Sequence, residues 1–146
     1  IDDYKQQIYP SSLTLTQEND SPTHTTYLEL DIKITHHNKI VLETYDKRDE
    51  FPFTARKYSW LCGNVDTRKS HSVVISELLR YANSNTQAAT FFTRVKQMTS
   101  QLLNQGFLKH LIQKQCDTFF NTHSTYIQKY KIQSVQAFTS QCFTDD

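Results

Sequence analysis

TTYLELDIKITHHNKIVLETYDKRDEFPF, residues 25–53, decides how this chain can fold. From Thr25 to Thr35 apolar and polar residues alternate. Leu28, Leu30, Ile32 and Ile34 fall on one side, Glu29, Asp31 and Lys33 on the other. A period of two over this length predicts a half-buried strand. HHNK (36–39) predicts a turn, since Asn38 tolerates left-handed backbone. Ile40 to Asp46 resumes the alternation, so the two runs read as an antiparallel hairpin. Five charged residues, Asp46 to Glu50, then end the pattern, and Phe51 and Phe53 follow around a proline.

Working outward, residues 1–25 give one weakly alternating run, Ser11 to Glu18, with room for a short extra strand. Asn19 to Pro22 reads as a loop. Beyond the hairpin, no period holds from Phe51 to Asp66, which contains the single tryptophan, Trp60. A connector of that length is expected to be functional or packed on something else. From Ser70 the period becomes helical. Val74, Leu78 and Tyr81 share one face, and Asn83-Ser84-Asn85 breaks the run. A second helix starts near Thr86 with Phe91, Val95, Met98 and Leu102 on one stripe. It stops at Gly106, which accepts positive φ. A third carries Leu108, Leu111, Ile112, Phe119 and Phe120, a fourth starts near His123, and a last short one spans Ser134 to Cys142. Strands first and helices after predict an α+β fold: an N-terminal antiparallel β-hairpin followed by a bundle of three to four α-helices. The expected division is 1–50 with the hairpin, 51–69 as connector and 70–146 as the helical part.

Composition narrows the classes. The 146 residues include 37% apolar side chains, and 17 Tyr and Phe together, enough for a modest aromatic core. Two glycines and three prolines predict long elements with few tight turns. No run approaches about 18 apolar residues, so no membrane span is expected. Cys62, Cys116 and Cys142 are odd in number and widely spaced. That predicts reduced thiols in a nuclear or cytoplasmic setting rather than a disulfide framework or zinc knuckle. A chain starting at Ile1 without Met or signal peptide reads as a fragment of something longer.

The net charge of +1 hides an asymmetry. Residues 1–51 hold 10 acidic and 5 basic side chains, whereas residues 52–144 hold 11 basic and 3 acidic, a net of +8. Clustered cations suggest a polyanion-binding face, although a solvated cationic surface has the same composition. The candidate set is Lys47, Arg48, Arg56, Lys57, Arg68, Lys69, Arg80 and Arg94, with Phe51, Phe53 and Tyr81 as aromatic support. Cations neutralise phosphates, and aromatic faces stack on bases or sugars. The ordinary alternatives are Asp46, Asp49 and Glu50 pairing with Lys47 and Arg48, and the two phenylalanines capping the hairpin.

Other constellations are weaker. Asp2-Asp3 suits Mg²⁺ only where a fold aims both carboxylates at one phosphate, and acids at a terminus are usually solvated. Neighbouring His36 and His37 on an extended chain would point to opposite faces, which reads better as a surface turn. His71 and Ser72 lack an oxyanion motif. Two glycines cannot build a phosphate loop. No catalytic residue and no metal site is assigned.

Several strings recur here in one order at tight spacing: IYPSSLTLTQENDSP, TYLELDIKI, KIVLETYDKRDEFPF, GNV, SVVISELLRYANSNTQAATFFTRVKQMTSQLLNQGF and HSTYIQKYKI. Together they resemble the C-terminal part of reverse transcriptases encoded by eukaryotic retroelements. YLELDIKI, YDKRDEF and LLNQGF are the most specific pieces, and the likeness to Penelope-like and non-LTR enzymes is looser. The resemblance covers about residues 6–133. It implies a hairpin at the palm's edge over 27–46, a crossing over 47–57 and thumb helices over 70–131. The implied partners are an RNA/DNA primer-template duplex and the palm and fingers of a parent polymerase. The parent reaction is RNA-directed DNA synthesis with Mg²⁺; this segment needs no cofactor of its own. The family's catalytic Asp-Asp stands further upstream of the Ile-Tyr-Pro string than Asp2-Asp3 stands from Ile8, so the segment is not catalytic by itself. Two departures sit outside the catalytic centre: Leu28-Glu29-Leu30 stands where the family's strand reads Leu-Asp-Leu, and Val65-Asp66 replaces Ile-Pro. The alternative is a domesticated or decayed retroelement remnant acting as a helical protein-interaction module.

Overall fold

The protein is represented by a computed structural model that describes residues 8–10, 12–13, 16, 19, 21–64 and 66–143. The strand expected within Ser11–Glu18 falls mostly on residues outside this set, as do Asp2 and Asp3. The described chain is α+β, as the change of period predicts. It comprises β1 (His24–Tyr27), β2 (Leu30–Ile34), β3 (Ile40–Thr44) and a 3₁₀ turn (Lys47–Glu50), followed by α1 (Thr67–Ser70), α2 (Val73–Ser84), α3 (Ala88–Asn104), α4 (Lys109–Thr122), α5 (Thr125–Lys129) and α6 (Val135–Gln141).

One expectation is corrected at the start. Residues 25–35 are not a single strand. The chain reverses at Leu28-Glu29, Tyr27 pairs with Leu30, and β1-β2-β3 form an antiparallel meander. Leu28 opens this two-residue loop at φ 55°, a position that favours glycine. Nothing in a Leu-Glu pair announces such a turn, so the alternation reads straight through it. The reversal changes which residues share a face. Directly opposed residues point the same way, so Tyr27 joins Leu30, Ile32, Ile34, Ile40 and Leu42. Tyr27 and Ile40 are 65% and 63% exposed. The other face is polar: His24 and Lys33 pair with Asp31, and Lys33 also reaches Glu43 at 2.8 Å. The second loop matches expectation, with Asn38 at φ 56° and Thr35 N–H donating to the Lys39 carbonyl at 2.9 Å.

The core belongs to the helices. Val74, Leu78 and Tyr81 of α2 meet Phe91, Val95, Met98 and Leu102 of α3 and Ile112, Phe119 and Phe120 of α4. Tyr58 joins from the connector, and no residue of the three strands belongs to this cluster. Aromatic rings fasten the later helices. Phe91 stacks on Tyr130 at 4.2 Å, and Phe138 of α6 meets Phe120 edge-on at 5.2 Å. Helix α3 ends as Gly106 predicts. With Gly106 at φ 86°, its N–H reaches the Leu103 carbonyl and the Phe107 N–H reaches that of Leu102, closing both orphan acceptors.

The sheet meets this bundle edge-on, through β3. Asn85, fully buried between α2 and α3, accepts from Thr44 N–H at 3.0 Å and donates to the Thr44 hydroxyl and the Tyr81 carbonyl, each at 2.8 Å. Next to it, Thr86 N–H donates to the Leu42 carbonyl at 2.9 Å, and Leu42 N–H returns a bond to the Thr86 hydroxyl at 3.1 Å. The helix junction therefore continues the strand ladder. Replacing Asn85 by Ala leaves the buried Thr44 N–H and hydroxyl without this partner, at about 1–3 kcal/mol each, while the Tyr81 carbonyl keeps its bond from the backbone N–H at position 85. We expect Asn85→Ala to lower unfolding stability by about 3 kcal/mol in urea titration. Asn85→Asp, nearly isosteric, should also destabilise, because it turns an oxygen toward the Tyr81 carbonyl. A midpoint unchanged in both variants refutes the assignment.

Candidate nucleic-acid interface

The connector from Asp46 to Trp60 runs across α2 and α3 and brings the predicted cations into two groups. Arg48, Lys57, Arg80 and Arg94 are held by the protein itself. Arg48 forks onto Asp46 at 2.8 and 2.7 Å. Lys57 reaches Glu77 at 2.5 Å and donates to the Tyr81 hydroxyl at 3.0 Å. Arg80 bridges Glu29 at 2.7 Å and Glu77 at 2.8 Å, tying the first β-turn to α2. Arg94 reaches Asp49 at 2.5 Å and the Thr44 carbonyl at 2.8 Å, tying α3 to the 3₁₀ turn. These guanidinium and ammonium groups have carboxylate partners and serve first as struts.

The titration shifts follow from these pairs. Burial would push the Glu77 carboxyl up, but the bond and charge from Lys57, with Tyr81 and Arg80 adding, hold it below the usual carboxylate range. Burial would lower Arg80, and Glu29 and Glu77 more than compensate, so it is raised. Asp46 is depressed to about 2, chiefly by the Arg48 bond.

Lys47, Arg56 and Lys69 are exposed and form no ion pair among the described residues. The side chain of Arg68 lies outside the described set. Arg56 lies over the Trp60 ring, 5.0 Å from its centroid. Phe51 and Phe53 stack on each other at 5.2 Å and stay 41% and 64% exposed. The ordinary alternative, that they cap the hairpin as core residues, is not what the structure shows: flanking a proline, the rings pair with each other and leave two aromatic faces in water. Tyr81 is buried and belongs to the core.

Three shallow cavities follow one another beneath this connector. One of about 400 Å³ lies beside Arg48, Phe51, Phe53 and Gln101. One of about 240 Å³ is lined by Thr54, Arg56, Trp60, Gln101, Asn104 and Gln105. One of about 360 Å³ lies among Lys57, Trp60, Lys69 and the serines 59, 70, 72 and 76. The first two share Thr54, Ala55 and Gln101, and the last two share Lys57 and Trp60, so they adjoin as one track. The amides of Gln101, Asn104 and Gln105 were not singled out in the sequence; only their spacing on the last turns of a helix could have suggested them.

A fourth cavity, of about 620 Å³, is lined by Asp31, Glu43, Asp46, Asp49 and Glu50. Its acids are engaged by Lys33, Arg48, Arg94 and the Tyr45 hydroxyl. No group of three or more His, Cys, Asp or Glu among the described residues is arranged to hold a metal ion. His36 and His37 sit exposed in the hairpin loop, and His71 is buried against Phe107. No described helix is long and apolar enough to cross a membrane. The described cysteines are free, with Cys116 and Cys142 buried and Cys62 exposed.

No protein-family model, curated protein or solved structure matches this chain.

The Asp46–Arg48 pair gives a pH test. Asp46 titrates at about 2 in the folded chain, below the ~3.9 of an unfolded aspartate. Its contribution is therefore full above pH ~4 and falls away as pH drops through about 2. Discounted for solvent screening, it is on the order of 1 kcal/mol. Asp46→Asn should cost that much at pH 6 and almost nothing at pH 2, in urea titrations of both proteins.

Proposed function

We propose that this chain is a primer-template-gripping segment, palm edge plus thumb, of a retroelement reverse transcriptase. Chemistry is carried out elsewhere in the parent polymerase. One observation carries the reading: Arg56 and Lys69, which form no ion pair among the described residues, and exposed Phe51, Phe53 and Trp60 line one concave track between the connector and the helices, with exposed Lys47 in the 3₁₀ turn next to its first cavity. Cations along such a track neutralise successive phosphates. Ser59 and Ser76 add hydroxyls that donate to phosphate or sugar oxygens without reading sequence, whereas the Ser70 and Ser72 hydroxyls already donate to the Asp66 and Lys69 carbonyls. The ordered strings YLELDIKI, YDKRDEF and LLNQGF support the same reading through their resemblance to reverse transcriptases. The struts Arg48, Lys57, Arg80 and Arg94 keep the track's walls in place.

The exposed apolar sheet face, with Tyr27, Ile34 and Ile40, favours a second reading, a protein-interaction module. A salt titration separates the two. Fluorescence anisotropy of a labelled RNA/DNA primer-template duplex should show affinity falling steeply with salt. Lys47→Ala/Arg56→Ala/Lys69→Ala should flatten the log–log slope by about 2–3, near 0.9 for each phosphate no longer neutralised. A salt-independent or absent signal in the parent chain overturns the grip and leaves the interaction module. A triple variant with the parent's slope removes these three residues from it.

A further inference from the structure

We infer that the middle cavity of the track is a pocket for one unpaired nucleobase, with adenine the preferred base. This rests on the reading of the track as a nucleic-acid path, and it adds a contact to a base where that reading needs only the sugar-phosphate backbone. The cavity measures about 240 Å³, room for one flat ring system rather than a base pair. One wall is the Arg56–Trp60 stack, with Trp60 44% exposed. Guanidinium and indole planes are the surfaces on which splayed-out bases stack. The same lining includes three amides at and just past the end of α3, Gln101, Asn104 and Gln105.

Gln105 points to the ligand's chemistry. It is 94% buried (6% exposed), and its Oε1 is shut off from water with no hydrogen-bond partner among the described residues. Such an acceptor costs about 1–3 kcal/mol unless something donates to it. The backbone holds it in place: its N–H is taken up by the Leu102 carbonyl, and its own carbonyl accepts from Leu61 N–H at 3.0 Å. The second bond also fixes the loop carrying Trp60 against the end of α3. A base amino group supplies the missing donor as the Gln105 amide turns its Oε1 toward the cavity it lines. An amide matches adenine in particular, accepting from N6 and donating to N7. Arg56, at the rim, is placed for the adjoining phosphate. Thymine and uracil carry no amino group and leave the acceptor unsatisfied.

Trp60 is the chain's single tryptophan, so intrinsic tryptophan fluorescence reports the wall this pocket shares with the Lys69-side cavity, and the amide variants assign the signal to this pocket. The test titrates the full chain with single-stranded oligo(dA) and oligo(dT) at equal length and salt. Expected are saturable quenching by oligo(dA) and at least tenfold weaker quenching by oligo(dT). Gln105→Leu should fold with undiminished stability, because the group removed has no partner, and should abolish the preference for oligo(dA). Asn104→Leu, an exposed change, should weaken oligo(dA) several-fold and covers the case in which Gln105→Leu fails to fold. Equal quenching by the two oligomers overturns the pocket, as does an oligo(dA) preference that survives Gln105→Leu or an oligo(dA) affinity unchanged in Asn104→Leu. Primer-template binding by anisotropy without any change at Trp60 overturns the pocket while leaving the backbone grip intact. Absence of both signals overturns both.

Discussion

The architecture depends on one buried amide. Asn85 ends α2, starts the turn into α3 and bonds both the backbone and the hydroxyl of Thr44. The β-meander contributes nothing to the apolar core, so its position relative to the helices is fixed by polar contacts. Besides Asn85 these are the Thr86–Leu42 backbone pair, Arg80 on Glu29 and Arg94 on Asp49 and the Thr44 carbonyl. The Tyr130 hydroxyl, 2.7 Å from the Asn85 carbonyl, carries the same junction into the later helices. Directional bonds of this kind specify one orientation where an apolar contact would tolerate several.

That arrangement explains why the cationic composition of residues 52–144 overstates the free positive charge. Arg80 and Arg94 look like free thumb cations in the sequence. In space each meets an acid 45 or more positions away, Glu29 and Asp49 respectively. Lys57 meets Glu77 from 20 positions off. The acids of the first third of the chain and the bases of the rest are partly each other's counterions. At the connector, Lys47, Arg56 and Lys69 keep no carboxylate partner among the described residues, and they stand near aromatic side chains that no core has claimed.

The helices were legible because their apolar stripes are long. Phe91, Val95, Met98 and Leu102 are all buried where period 3.6 puts them, and Gly106 and Ser134 mark a helix end and a helix start as their chemistry dictates. The meander was half legible. Asn38 signals its loop, but Leu28 occupies a left-handed position without a residue type that advertises it. The site was legible as a region and not as a set of contacts. The connector's lack of periodicity marked it, and Lys47, Arg56, Phe51 and Phe53 were named from it. The paired state of Arg48 was already foreshadowed by Asp46, two residues away. The amide row at the end of α3 was not, because glutamine and asparagine carry no charge and no periodic apolar signal.

The docking of β3 has a bearing on aggregation. A strand edge with free N–H and C=O groups is a template for an incoming chain. The outer edge of β3 is closed by Asn85 and Thr86, whose groups occupy Leu42 and Thr44 as a fourth strand would. Among the described strands only β1, four residues long, faces outward in the sheet, and its aromatic residue, Tyr27, lies on the same face as the bare Ile40. Fibril growth on this protein would have to begin at that short rim, while the longer and more apolar β3 is protected as long as the bundle stays folded.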